Sequence, residues 1–297
     1  MFASLHLWPL LECAGIFNKK GLIVRFTLLI LALIGAAVST GCSSTDYNPT
    51  TYDYFISRED IQQKPLKKII LATVNVSGEP TRSVLRDSVD KVDGMVEDYL
   101  EDNGISLAPN HLFNNAWQQA LLTYGNFYDP TTGKVDRVGW QKVMSATLQS
   151  LQAQNDIDAV VFTDLIEHDV QHSPGMKHYA RWYGVTREPA TEGTTSSVPT
   201  DFNWTQVIKG ASLLITIYTT EGKPLFSSRG GIDTLHGIDS RKSDKGFVRR
   251  KKILSRSNNI EEGIEIAFHP LIKMKNYPGK AAPVAAKAGA EPKASQP

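Results

Sequence analysis

The sequence predicts an α/β (α+β) fold in which a single mixed β-sheet is flanked by helices. Two β-branched, apolar runs, IILATVNV at Ile69–Val76 and DAVVFTDLI at Asp158–Ile166, have the continuous apolar character of strands buried on both faces. Two further β-rich runs meet across a Glu-Gly-Lys turn at 221–223, which is typical of an antiparallel hairpin. Strands that alternate with helices and end in an antiparallel pair indicate one mixed sheet.

The first half of the domain is predicted to be mainly helical. In Ser83–Glu101 apolar residues recur every three or four positions, as on one face of an amphipathic helix, and Gly104 supplies a stop. A short strand is expected at Ile105–Ala108, and Asn110 is expected to cap a helix that ends at Leu122. A third helix is expected at Asp136–Gln154, where Val143, Thr147 and Leu151 share a face.

The second half is predicted to be mainly β-structure around a polar insertion, residues 168–205, which is rich in Pro and Gly. A stretch of this length rarely lacks structure inside a compact domain, so a strand is expected at Tyr179–Val185. The other predicted elements are strands Ala211–Thr219 and Pro224–Ser228, and a helix that opens at Asn258 or Asn259 and ends near His269.

A segment near the N-terminus has the layout of a secretory signal. Lys19, Lys20 and Arg25 precede an apolar run that ends in small residues before Cys42, which is the order of basic start, apolar centre and cleavage site. The segment resembles the bacterial lipoprotein signal, which implies lipidation of Cys42, cleavage before it and, because Ser43 follows, the outer membrane. The alternative is a transmembrane anchor, but the run is shorter than the ~20 apolar residues a spanning helix needs.

The signal divides the chain into parts. Residues 1–41 are the predicted signal, and its first part, 1–20, carries a second apolar stretch, from which we hypothesise that translation starts at Leu22 or Val24. Residues 42–66 are predicted to hold the lipidated cysteine and a polar tether, with a short folded arm at Tyr52–Ile56 as the alternative. The α/β domain is expected at 67–275 and a disordered Ala/Pro/Lys tail at 276–297.

Composition limits the chemistry that is available. The formal net charge of the 297 residues is +1, and removal of 1–41 leaves about −1. Cys13 lies in the removed part and Cys42 carries lipid, so the predicted mature chain forms no structural disulfide. Its length is sufficient to bury a core without one.

Two sequence patterns resemble parts of catalytic sites. The segment EHDVQH brings histidines to positions i and i+4, and a metal-dependent hydrolase could use His168, Asp169, His172 and His178; surface or loop histidines are the alternative. Gly230-Gly231 follow a predicted strand, but neither a P-loop nor G-x-S-x-G is present. The sequence therefore predicts no catalysis, no cofactor and no nucleotide.

A basic segment is the best candidate for binding. Residues 241–256 carry a local charge of +7, which suits phosphates of lipopolysaccharide or phospholipid, or an acidic protein face; a solvated loop is the alternative, and nucleic acid is not expected for an exported chain. The basic residues are Arg241, Lys242, Lys245, Arg249, Arg250, Lys251, Lys252 and Arg256.

Five aromatic residues flank the polar insertion. They form either an exposed recognition surface or the strand positions that close the sheet. They are Tyr179, Trp182, Tyr183, Phe202 and Trp204.

From Lys67 to Ile272 the order of elements resembles that of outer-membrane lipoproteins with a TolB-N-terminal-like or anticodon-binding-like α/β domain. That group includes a penicillin-binding-protein activator and the curli-secretion channel subunit. The resemblance implies a non-catalytic, periplasm-facing lipoprotein that binds or helps to assemble an envelope protein complex. A metal-dependent hydrolase and a structural subunit of a secretion-type ring are the alternatives.

Overall fold

The computed structural model describes residues 53–72, 83–129, 131–132, 134–154, 156–173, 178–192, 198, 200–239 and 246–274. They all lie in the unit Thr45–Pro297, whereas the predicted signal and Cys42 lie outside the described residues. The strands are β1 (Tyr54–Ile56), β2 (Lys68–Ala72), β3 (Ser106–Ala108), β4 (Ala159–Val170), β5 (Ala180–Trp182), β6 (Val185–Arg187), β7 (Ala190–Glu192), β8 (Ile208–Thr219), β9 (Pro224–Thr234), β10 (His236–Asp239) and β11 (Val248–Arg249). The helices are α1 (Arg58–Gln63), α2 (Ser83–Arg86), α3 (Val89–Asp102), α4 (Asn110–Tyr124), α5 (Arg137–Gln154) and α6 (Ser257–Phe268).

A six-stranded mixed sheet forms the centre, in the order β1-β9-β8-β4-β2-β3. Strand β2 pairs in parallel with β3 and β4, while β4, β8, β9 and β1 pair antiparallel. The predicted α/β fold class is therefore confirmed. Among the described residues the structure adds two small sheets, β11-β10-β7 and the hairpin β5-β6, that the prediction of a single sheet did not include.

Helices cover both faces of the central sheet. Alternate residues of β4 point to opposite faces, so Val161 and Leu165 pack in one core with residues of α3 and α6. Val160 and Phe162 pack in a second core with residues of α4 and α5. This burial on both faces explains why β2 and β4 have continuous apolar sequences.

The helical predictions needed two corrections. The helix expected at Ser83–Glu101 is interrupted between α2 and α3, where Ser88 has φ −104° and ψ −3° and its carbonyl accepts the first hydrogen bond of α3. Asn110 is the first residue of α4 and not its cap, because Pro109 holds that position. The Nδ2 of Asn110 instead donates to Glu97 Oε1 at 2.9 Å, and α4 continues to Tyr124.

The central strands are longer than predicted, and this moves several residues out of loops. Strands β4 and β8 pair without interruption from Ala159↔Thr219 to Val170↔Ile208, so the polar insertion begins after Val170. Strand β9 runs to Thr234 and contains Gly230 and Gly231, which were expected to follow a strand.

The N-terminal part of the described chain is folded onto the sheet edge. Strand β1 pairs with β9, with Tyr54 opposite Ser228, and α1 follows it. The structure therefore has the folded arm that was the alternative to a tether in this region, and β1 at Tyr54–Ile56 already belongs to the folded domain that was expected from residue 67. In the part of the chain that the structure describes, no helix is long and apolar enough to cross a membrane.

Candidate functional site

The candidate site lies at one end of the central sheet, where β4 ends at Val170, β8 begins at Ile208 and β9 ends at Thr234. We call this the insertion end. The insertion leaves β4 and returns to β8 here, and the segment that contains β11 attaches here, because Arg250 N donates to Leu235 O at 3.0 Å. Residues that lie far apart in the sequence therefore meet at this end.

The hairpin β5-β6 packs against the central sheet through contacts with β8 and β9. Tyr183 and Gly184 both have positive φ, 34° and 84°, as a two-residue type I′ turn requires. Trp182 Nε1 donates to Ser212 Oγ at 3.1 Å, and Gly231 N donates to Tyr183 O at 3.0 Å. A Cβ on Gly231 would lie 2.3 Å from a Val185 methyl carbon, so this glycine permits the close approach of the hairpin.

His168 sits under the hairpin beside Tyr183 and Arg229. Its ring centroid is 4.9 Å from that of Tyr183, whose hydroxyl accepts from Arg229 Nη1 at 3.2 Å. Burial, aided by the positive charge of Arg229, lowers the pKa of His168 to about 4. The imidazole is therefore neutral near pH 7, and neither ring nitrogen has a hydrogen-bond partner among the described residues.

A second group of rings packs together at the insertion end. This aromatic cluster consists of His172, His178, Phe202, Trp204 and Phe247. His172 stacks on Phe247 at 4.8 Å, Phe202 meets Phe247 edge-on at 4.9 Å, and His178 stacks on Trp204 at 3.5 Å. Burial, with a smaller contribution from the charge of His178, lowers the pKa of His172 to about 4.

The four residues considered for a metal site point to separate partners. His168 contacts the hairpin, and His172 and His178 contact different rings of the aromatic cluster. Asp169 follows His168 on β4 and so points to the opposite face, where its carboxylate pairs with Lys209 Nζ at 2.6 Å. Within the described ranges, no three His, Cys, Asp or Glu side chains are arranged to hold a metal ion.

The basic segment is divided between structural and exposed residues. Arg250 is buried and pairs with Asp233 at 2.8 Å, so its predicted availability to an external anion is wrong. Arg249 pairs with Glu167 at 3.4 Å but stays about half exposed. The remaining described cations, Lys251, Lys252 and Arg256, are exposed, and Arg241, Lys242 and Lys245 lie outside the described residues.

The aromatic residues of the insertion are also divided. Trp182 and Phe202 are buried, as expected of residues that close the core, while Tyr179, Tyr183 and Trp204 remain partly exposed. Sequence reasoning did not find Phe247 or Arg229, since each acts through contacts with distant residues. The only local signal was the occurrence of Phe247 as an aromatic residue inside a basic segment.

The chain was compared with models of protein families, with curated proteins and with solved structures, and none of the three comparisons finds a match. The resemblance to TolB-like envelope lipoproteins therefore stays a prediction.

Proposed function

We propose that this chain is a non-catalytic lipoprotein of the cell envelope. In this proposal Cys42 carries the lipid, the α/β domain faces the periplasm from the outer membrane, and the domain binds or helps to assemble an envelope protein complex. The signal-like segment before Cys42 supports the location, and the folded insertion supports a role in binding.

The observation that carries the proposal is the short distance in sequence between Cys42 and the fold. Strand β1 begins at Tyr54, 12 residues after Cys42. A fully extended chain of that length reaches about 40 Å. A lipid on Cys42 would thus hold the domain next to the membrane, where it meets membrane proteins at high effective concentration.

The insertion supplies a rigid surface of the kind that recognises proteins. Trp204 is held between His178 and Phe202, and the guanidinium of exposed Arg181 lies 5.9 Å from the centre of the Tyr179 ring. Tyr, Trp and Arg side chains dominate the binding energy of many protein interfaces. Because the ring contacts with His178 and Phe202 hold Trp204 in place, this side chain loses little conformational freedom when a partner binds.

A cross-linking pull-down tests this function. A photoreactive residue in place of Arg181 is expected to capture one discrete envelope protein in cells. The same photoreactive residue in place of exposed Lys142 on α5 serves as the matched control. A strain with Cys42→Ala is expected to lose the adduct, because the domain is no longer lipid-anchored. Recovery of no protein in repeated experiments contradicts the proposal, and recovery of the chain itself favours a ring subunit.

A further inference from the structure

We propose that the insertion end of the domain faces the membrane and that Lys251 and Lys252 contact anionic lipid headgroups there. This inference rests on the proposed function, because it takes Cys42 as the lipid attachment point. It adds an orientation and a second, electrostatic contact to the lipid anchor.

The direction of β1 gives the first argument. Strand β1 is antiparallel to β9, with Tyr54 opposite Ser228 and Ile56 opposite Phe226. The chain therefore enters the sheet from the side toward which β9 runs, and β9 ends at the insertion end. At the rise of a β-strand, Ser228 and Thr234 are about 20 Å apart. This distance is half the length that the residues between Cys42 and Tyr54 can span when fully extended.

The partners of the nearby charges give the second argument. At the insertion end Glu167 is paired with Arg249, Asp233 with Arg250 and Asp169 with Lys209. The Oε1 of Glu192 accepts from the backbone N of Lys251 at 3.3 Å, but neither ammonium group of Lys251 or Lys252 forms an ion pair with a described residue. Two exposed lysines beside a paired arginine form a positive surface that complements phosphate groups.

The lysines at the opposite end of the sheet are partly paired. There Lys64 pairs with Asp158 at 3.3 Å and Lys223 pairs with Asp60 at 2.6 Å, while exposed Lys67 forms no ion pair with a described residue. Charge alone therefore does not separate the two ends, and the direction in which the chain enters at β1 selects the insertion end.

The segment that carries the lysines is fixed, which favours contact with a surface. Buried Arg250 donates to Thr234 O at 2.7 Å and to Asp233. On the other side Ile253 is half-buried and Leu254 is buried in the core with α3 and α6. Lys251 and Lys252 therefore lie between two residues, Arg250 and Ile253, that are both packed against the domain.

The experiment uses the mature protein, purified with its lipid and reconstituted in vesicles. A fluorophore is attached at Ser255→Cys, beside the lysines, or at Thr123→Cys on α4 as the comparison position, and lipids with a headgroup quencher report proximity. In vesicles of phosphatidylethanolamine with phosphatidylglycerol, we expect strong quenching at 255 and weak quenching at 123. High salt or replacement of phosphatidylglycerol by neutral phosphatidylcholine should remove the quenching at 255.

Charge removal supplies the matched test. Each basic residue near an anionic surface strengthens contact about fivefold, so Lys251→Gln with Lys252→Gln should weaken the contact equilibrium about 30-fold. The control is Lys134→Gln with Lys142→Gln, which removes the same charge from exposed positions of the α4–α5 region and should leave quenching at 255 unchanged.

Two results would overturn the orientation: quenching at 255 that is equal in neutral vesicles, or quenching at 255 that survives the loss of both lysines. Mass spectrometry of the N-terminal peptide of the same sample separates the two proposals. A lipidated Cys42 with no quenching at 255 refutes the orientation alone, whereas an unmodified Cys42 refutes the lipid anchor and, with it, the orientation.

Discussion

Two glycines, Gly230 on β9 and Gly263 on α6, allow helix and sheet to touch through their backbones. A Cβ on Gly230 would lie 1.9 Å from Gly263 O and 2.8 Å from Ala267 N. Both neighbours are backbone atoms that no rotamer change can move. The contact determines how closely α6 packs on the strand that also pairs with β1.

Gly230→Ala is therefore expected to lower the free energy of unfolding by about 1–3 kcal/mol, as overpacking of a core does. Denaturant unfolding measures the change. The control is Gly94→Ala in α3, where a Cβ would meet nothing within 4 Å; it is expected to raise stability by about 0.5–1 kcal/mol through helix propensity. If the two variants have equal stability, the close packing of α6 on β9 is wrong.

Arg250 and Asp233 form a buried ion pair at the insertion end, with side chains 5% and 3% exposed. Arg250→Met leaves the carboxylate of Asp233 buried without its cation, which should cost about 3–5 kcal/mol of unfolding free energy. Lys209→Met breaks the more exposed pair with Asp169 and should cost less than about 1 kcal/mol. Similar losses for both variants would show that Arg250 is not buried as described.

At the scale of elements, the insertion is held to the sheet by neutral histidines against aromatic rings. His168 lies among Trp182, Tyr183 and Arg229, and the charges of Asp169 and Lys209 also affect its pKa. His172 lies against Phe247, and the charge of His178 contributes to its lowered pKa. Burial and the positive neighbours lower the pKa of His168 more than Asp169 raises it, so the histidine binds a proton more weakly when the insertion packs on the sheet than when the insertion is detached from it.

This difference predicts acid sensitivity of the insertion. The pKa of each histidine is about 4 in the fold, against an ordinary value of 6.5. Histidines that are no longer packed against the rings thus take up protons at a higher pH than they do in the fold. The free energy of unfolding should therefore have its full value above pH 6.5 and decline as the pH falls toward about 4. Unfolding in denaturant across this range measures the decline.

Other groups also titrate in this range, so the comparison is with a variant. His168→Phe with His172→Phe keeps the ring contacts and removes both titrations, and we expect it to lose much of the decline between pH 6.5 and 4. A pH dependence that matches that of the unchanged protein would refute the role of these histidines.

The elements differ in how much of their structure the sequence could predict. Strands β2 and β4 were predicted because burial on both faces leaves a run of apolar residues in the sequence. The hairpin β8–β9 was predicted because two β-rich runs meet across the glycine-containing turn at 221–223. The final helix was predicted from the spacing of Ile260, Ile264 and Phe268, all of which are buried. The break at Ser88 and the extension of β9 through two glycines were missed, because tertiary contacts outweigh local propensity there.

The candidate site was predictable only in part. The basic segment and the aromatic residues were found as groups, but the division of the basic segment into buried and exposed members depends on pairs such as Arg250–Asp233 and Arg249–Glu167. The partners in the second pair are 82 residues apart in sequence. No local pattern marks such a pair, so sequence alone assigned Arg250 to an external anion.

At the scale of the whole molecule, we propose a domain held near a membrane by the chain that enters at β1. Strand β1 at Tyr54–Ile56 already belongs to the fold, so the proposed tether from Cys42 is shorter than the 42–66 segment predicted from the sequence. A short tether and a basic surface on the side where the chain enters are mutually consistent features of a membrane-facing domain. The insertion lies at that same end and can reach a partner embedded in the membrane.

The most direct test of this account is the mass of the N-terminal peptide of the protein isolated from membranes of its native host. The account predicts a peptide that starts at Cys42 and carries a diacylglyceryl group and an amide-linked acyl chain. Cys42→Ala should abolish the modification and leave residues before position 42 in the product. A peptide that starts upstream of Cys42 in the unchanged protein, or an unmodified Cys42, would contradict the central claim.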